Sequence, residues 1–126
     1  MLWVILPYSA SLIAMTGYIA TRRHLWFDEI LTYYVATLPN AKAIWHALVL
    51  ALDGQPPVFY LPAHYASRIF GNSEFVLRLP SVIAYWLATV LLYHIVNRRT
   101  MPLYGIMAAL VPSFTPVFEY SFEARP

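Results

Sequence analysis

The chain has 126 residues, of which 60% are hydrophobic, 17% aromatic and 11% charged, and its formal net charge is +2. Soluble domains carry roughly 25% charged residues. With a mean hydropathy of +0.58, this composition excludes an ordinary soluble fold and predicts an integral membrane protein. The cations are too few and too scattered to hold a phosphate backbone, so nucleic acid is excluded as a partner. Because cysteine is absent, His, Asp, Glu and Arg must carry any chemistry.

Three long apolar stretches predict an all-α integral membrane fold with three transmembrane helices. A bilayer core about 30 Å thick takes roughly 20 helical residues to cross. We place the spans at about 1–21, 75–97 and 102–118, joined first by a loop at 22–74. Three spans are few for an independent membrane enzyme, so we expect one truncated membrane domain over residues 1–126, in a multi-pass protein of the cell membrane.

The loop begins with two stretches of helical periodicity, which predict amphipathic helices that lie on the bilayer. The first runs from Asp28 to Leu38 and is ended by the following proline. The second runs from Ala41 to Leu52, and Asn40 is a good N-cap residue for it. Amphipathic helices would hold the loop at 22–74 against the lipid bilayer. We therefore expect the bilayer to be a partner of this protein.

A third helical stretch follows a turn that contains two prolines, and Gly71 closes this stretch. Pro62 is expected to kink or delay this helix. Tyr60 and His64 share a polar face of this helix, which we expect to meet water and lipid headgroups. His64 and Gln55, in the preceding turn, are the weaker candidates for residues near a substrate.

The second span opens with Glu74 and Arg78, whose four-residue spacing predicts a helical ion pair. A charge at mid-bilayer costs roughly 3 kcal/mol, so Arg78 is expected near the interface or against protein. Arg98 and Arg99 follow this span and favour a cytoplasmic turn, although the arginines before the loop favour the opposite orientation. Basic residues in long loops influence membrane orientation less than those in short turns. We therefore expect the loop at 22–74 to be external.

An adjacent acid pair, Asp28 and Glu29, stands where the chain leaves the first span. Acids in a first helical turn interact favourably with the positive end of the helix dipole, which is the ordinary explanation for such a pair. The functional alternative is a general base at the membrane surface. Neighbouring helical residues point about 100° apart, so we expect one carboxylate to act and the other to support it.

His24 lies four residues before Asp28 and would share its face if the helix began early. An imidazole and a carboxylate suit a divalent cation. Two ligands do not make a metal site, so a divalent cation stays an open alternative and no other cofactor is indicated.

The end of the chain carries Glu123 and Arg125, which alternation of the spans places on the same membrane side as the acid pair. Arginine binds phosphate through two parallel hydrogen bonds. An ordinary charged loop after a span is the equally simple alternative.

Four segments taken in order resemble a known family: 26–29 (WFDE), 54–60 (GQPPVFY), 70–81 (FGNSEFVLRLPS) and 122–126 (FEARP). They are similar to the amino-terminal part of the polytopic, GT-C type glycosyltransferases that use polyprenyl-phosphate sugars. That group contains the protein O-mannosyltransferases and the lipid A aminoarabinose transferases. The resemblance covers this whole chain but only about the first quarter of such an enzyme.

The resemblance implies transfer of a hexose or pentose from a polyprenyl-phosphate donor to an unknown acceptor on the external side. It implies a catalytic role for Asp28 with Glu29 in support, and its Glu-x-Arg segment falls on Glu123 and Arg125. Because the leaving phosphate needs cations, we expect Arg125 to bind it beside Glu123, with Arg78 or Arg68 as a helper. The fragment alone would be inactive. The alternatives are a fragment of a transporter or lipid flippase, and a non-catalytic membrane scaffold. A pathway for transport would place ionisable residues near mid-bilayer, whereas here they gather at the span ends.

Overall fold

The computed structural model describes residues 2–50, 57–121 and 123–124, and every regular element in these ranges is a helix. In chain order they are α1 (Leu2–Arg22), α2 (Phe27–Ala36), α3 (Ala41–Val49), α4 (Pro57–Phe70), α5 (Glu74–Arg99), α6 (Pro102–Leu110), a 3-10 helix (Val111–Phe114) and α7 (Pro116–Tyr120). The all-α class predicted from the sequence is confirmed for these residues.

Helix α5 has 26 residues and is long and apolar enough to cross a membrane. The Ser73 hydroxyl caps its start by accepting the Val76 N–H at 3.3 Å. Arg98 and Arg99 occupy its last turn, where cations interact favourably with the helix dipole. One of the three predicted spans therefore has the length and composition of a membrane helix.

The other two predicted spans differ from each other. Helix α1 has 21 residues and covers the first of them almost entirely. The third, at 102–118, is divided among α6, the 3-10 helix and part of α7. After α7 the chain lies again beside the start of α5, because Ala124 and Arg78 both bind Glu29. Glu123 therefore lies at the same end of the molecule as the acid pair, beside Arg23. That α1 and residues 102–118 cross the membrane stays a prediction.

Helices α2, α3 and α4 form a small layer against α5. Helix α4 contacts α2 and α3 and also packs along α5. Within the layer, Val35, Ile44 and Tyr60 make a cluster in which no side chain is more than 4% exposed. Burying apolar side chains of this size stabilises a fold by roughly 1.5 to 3 kcal/mol each, so this cluster holds the three short helices together.

The helix boundaries in this layer follow the local signals of the sequence. The Asn40 side chain accepts the Ala43 N–H at 2.8 Å and caps α3 as predicted. Gly71 follows α4 with φ of +88°, a conformation that glycine adopts without a steric penalty. The expected delay at Pro62 is wrong, since α4 begins at Pro57 and continues through Pro62.

The expectation that α4 turns its polar residues to water is wrong for two of them. Tyr60 is 0% exposed and His64 is 4% exposed. The reason is that α4 lies between α5 and the other loop helices, so both of its sides are covered. Arg68 does remain exposed, and its guanidinium donates to the Pro39 carbonyl.

Candidate functional site

The two adjacent acids at the start of α2 have opposite environments. Asp28 is exposed, whereas Glu29 is 0% exposed. Both belong to the first turn of the helix, where successive side chains diverge by about 100°. The pair is therefore divided into one buried carboxylate and one carboxylate at the surface.

Glu29 forms a two-pronged ion pair with Arg78, which is 1% exposed. Arg78 Nε donates to Glu29 Oε1 and Arg78 Nη2 donates to Glu29 Oε2, each at 2.9 Å. Parallel N–H bonds of this kind fix the relative orientation of both groups as well as their distance. The start of α2 is thereby fixed to the start of α5.

Two backbone amides complete the coordination of the Glu29 carboxylate. The Ala124 N–H donates to Oε1 at 2.7 Å, and the Trp26 N–H donates to Oε2 at 3.1 Å. Burial raises the pKa of Glu29. The hydrogen bond from Arg78, the hydrogen bonds from the two backbone amides and the charge of Arg78 outweigh the effect of burial, so the pKa is lowered overall. Glu29 is therefore a charged structural anchor and a poor proton acceptor.

Arg78 uses its remaining donors on the end of α1. Its Nη1 and Nη2 each donate to the Arg23 carbonyl at 3.2 Å. The predicted helical ion pair with Glu74 is wrong, because the guanidinium turns toward α2, where two carboxylate oxygens match its planar fork. Buried and bonded in this way, Arg78 presents no surface to a donor phosphate, and this geometry does not favour the predicted contact.

Glu123 and Arg23 extend this arrangement to the surface. Arg23 Nη1 lies 3.3 Å from Glu123 Oε1, and the two side chains are 46% and 7% exposed. We call the set Arg23, Glu29, Arg78, Glu123 and Ala124 the junction. Glu123 thus contacts a cation of its own chain, and its predicted place at the donor phosphate stays untested.

Three other predicted residues lie away from the junction or beyond the described ranges. Gln55 and Arg125 lie outside the described residues. His64 is buried in α4, where its Nδ1 donates to the Ala36 carbonyl at 2.8 Å and so satisfies the last turn of α2. That contact gives His64 a structural role, while its proximity to a substrate stays a prediction.

The possible His24 and Asp28 cation site does not have the helical geometry that motivated it. Helix α2 begins at Phe27, so His24 precedes the helix and does not share a face with Asp28. Within the described ranges, no group of three or more His, Asp and Glu side chains is placed to hold a metal ion.

Arg23 is the junction residue that the sequence analysis missed. It was considered only as a positive charge at the end of a span, yet it supplies both a carbonyl for Arg78 and a guanidinium for Glu123. No local signal pointed to this role, because Arg78 lies 55 residues further along the chain and Glu123 lies further still.

Comparison with known proteins identifies the family. The model of the dolichyl-phosphate-mannose-protein mannosyltransferase family matches residues 54–126, which is more than half of the chain. Comparisons with curated proteins and with solved structures gave no match. The match begins after the acid pair, but it includes Arg78 and Glu123, and Arg78 binds Glu29 directly. The chain therefore belongs to the dolichyl-phosphate-mannose-protein mannosyltransferase family of membrane-integral glycosyltransferases.

Proposed function

We propose that this protein transfers a sugar from a polyprenyl-phosphate donor to an acceptor hydroxyl at the membrane face that carries α2, α3 and α4. The observation that carries the proposal is the division of the acid pair. Glu29 anchors the first turn of α2 through the junction, and Asp28 on the same turn stays exposed. A base needs this combination of a fixed backbone and an accessible carboxylate.

The reaction needs a base more than a strong acid, because a phosphate is already a good leaving group. The acceptor oxygen attacks the anomeric carbon of the sugar and its proton passes to the Asp28 carboxylate. The bond between that carbon and the phosphate oxygen breaks, and polyprenyl phosphate leaves with the electron pair. Atoms and charge balance without any other reactant.

The departing phosphate requires a cation, and we assign this role to Arg125. Ala124, its neighbour in the chain, donates its N–H to Glu29 and is 0% exposed. The assignment is supported by sequence proximity, since Arg125 directly follows a residue that binds Glu29. Glu123 would support Arg125 indirectly, by binding Arg23. The polyprenyl tail would stay among the apolar spans while its phosphate remains at the interface.

The family description gives the first substrates to assay. The family name pairs dolichyl-phosphate mannose as donor with a protein as acceptor. We therefore propose hexosyl transfer from dolichyl-phosphate mannose to a hydroxyl-bearing peptide as the first reaction to measure, followed by polyprenyl-phosphate sugars of other kinds.

The decisive test is Asp28→Asn in the protein expressed from its native reading frame. We expect sugar transfer to fall by about a thousandfold or more, in line with the loss of a proton acceptor and its positioning. Membrane insertion and abundance should stay normal, because Asp28 is exposed.

Glu119→Gln is the matched control, since it also removes one exposed carboxylate and should retain activity. Undiminished turnover in Asp28→Asn would remove Asp28 from the mechanism. A protein that transfers no sugar in its native form, and whose folding and membrane insertion tolerate neutralisation of both Asp28 and Glu29, would point to the non-catalytic scaffold.

A further inference from the structure

A second candidate site lies between α2 and α3, separate from the junction. It is a groove of about 560 Å³, within the size range of small-molecule sites. We call it the α2–α3 groove, and its apolar walls include Leu31, Tyr34, Leu38, Ala43, Ala47 and Leu50. Nothing in the proposed transfer reaction uses this groove.

Helix geometry places the groove on the side of α2 away from Glu29. At about 100° per residue, Leu31 and Tyr34 share one face of the helix, and Leu38 follows just after its end. Glu29, Thr32 and Ala36 share the opposite face, and all three are 0% exposed. A ligand in the groove would therefore be separated from the junction by the body of α2.

The polar residues that line the groove give it a basic character. Lys42 and His46 lie four residues apart on α3, both are exposed, and both line the groove. They are one turn apart, so their side chains project from the same face. Among the residues that the structure describes, the lining includes no Asp or Glu. The site thus combines apolar walls with a fixed positive charge and an imidazole at its rim.

The surroundings of the groove favour a ligand that comes from the bilayer. Helix α4 packs along α5, the helix long enough to cross a membrane, so the layer of α2, α3 and α4 lies against a candidate span. Around the groove, Tyr34, Trp45, Val49 and Leu50 are each more than half exposed. Exposed apolar and aromatic side chains beside a cation are typical of helices that rest in the lipid interface.

We propose that the α2–α3 groove binds an anionic membrane phospholipid. An acyl chain would lie along the apolar walls, and the phosphate group would contact the Lys42 ammonium and the His46 imidazole. Charge complementarity selects an anionic headgroup, since a zwitterionic lipid adds a second cation next to Lys42. The length of the apolar walls selects a lipid over free phosphate.

The test is native mass spectrometry of the protein released from detergent micelles with added phosphatidylglycerol or phosphatidylcholine. We expect bound phosphatidylglycerol to exceed bound phosphatidylcholine. Lys42→Gln should reduce that preference by about fivefold, as expected for one lysine near an anionic lipid surface, and Lys42→Arg should retain it. Ala43→Phe, which fills the groove, should reduce binding of both lipids.

Arg98→Gln is the matched control, because it removes one exposed positive charge at the far end of α5. If Arg98→Gln lowers the preference as much as Lys42→Gln, the lipid is held by net charge and the site is refuted. Equal binding of the two lipids, or binding unchanged by Ala43→Phe, also refutes it. Inorganic phosphate that displaces the lipid would show a headgroup site without a role for the groove. Circular dichroism of each variant establishes that it is folded.

Discussion

Two regions, the junction and the contact between α5 and α6, hold helices together by different means. In the junction, charged side chains are buried and satisfied by one another and by backbone groups. Between α5 and α6, a residue without a side chain allows close approach: a Cβ added at Gly105 would lie 3.1 Å from Asn97 Cβ and 3.2 Å from a Tyr93 ring carbon. Contact there depends on shape, whereas the junction depends on matched charge.

This difference predicts how each region fails. A buried ion pair contributes little net stability, but removing one partner leaves an uncompensated charge. A close steric contact fails when volume is added and tolerates changes of polarity. The two regions therefore call for different substitutions.

The largest effect is expected for Arg78→Met. It leaves Glu29 buried without its guanidinium, and we expect a loss of about 3 to 5 kcal/mol in the free energy of unfolding. Thermal unfolding in detergent, followed by circular dichroism, measures it.

Glu29→Gln combined with Arg78→Met removes both charges and should recover part of the lost stability. If the double variant is as unstable as the sum of the single variants, the two residues do not act as a pair.

A smaller effect is expected for Gly105→Leu. The added side chain meets Asn97 and Tyr93, and overpacking of this kind costs about 1 to 3 kcal/mol. Gly17→Leu is the control, because nothing lies within 4 Å of a Cβ at Gly17. Similar losses of thermal stability in both variants would contradict a special contact at Gly105.

The smallest effect is a pH dependence that belongs to the junction alone. Because the pKa of Glu29 is lowered in the folded protein, its contribution to stability is fully present above the ordinary carboxyl pKa of about 4.3. That contribution is lost as the pH falls through the lowered folded-state pKa. The stability difference between the native protein and Glu29→Gln should therefore shrink between pH 5 and the acid range.

Unfolding measured at stepwise lower pH tests this, with Gly105→Leu as the comparison. A difference between native protein and Glu29→Gln that stays constant from neutral to strongly acidic pH would rule out the carboxylate as its source.

Local sequence signals were sufficient to predict much of the loop layer. Asn40 and Gly71 affect only the helix end next to them, so their roles can be predicted without knowledge of the tertiary structure. The separation of Asp28 from Glu29 follows from helical geometry in the same way. The resemblance in four short segments predicted the family that the match over residues 54–126 identifies.

Partners distant in sequence could not be predicted by such rules. The four-residue rule favoured Glu74 for Arg78, but the actual partner is Glu29, 49 residues earlier. Likewise Tyr60 and His64 form a polar face by periodicity, and only the packing of α4 against three helices buries them. Periodicity shows which residues share a face, but the neighbouring elements decide whether that face is covered.

The spacing of the Glu29 partners also orders events during biosynthesis. Glu29 leaves the ribosome 49 residues before Arg78 and 95 residues before Ala124. Until both have emerged, its carboxylate has to remain hydrated, because an unpaired charge is costly to bury. The junction therefore closes only after α5, α6 and α7 have been made, and its closure marks a nascent chain that has returned to the start of α5.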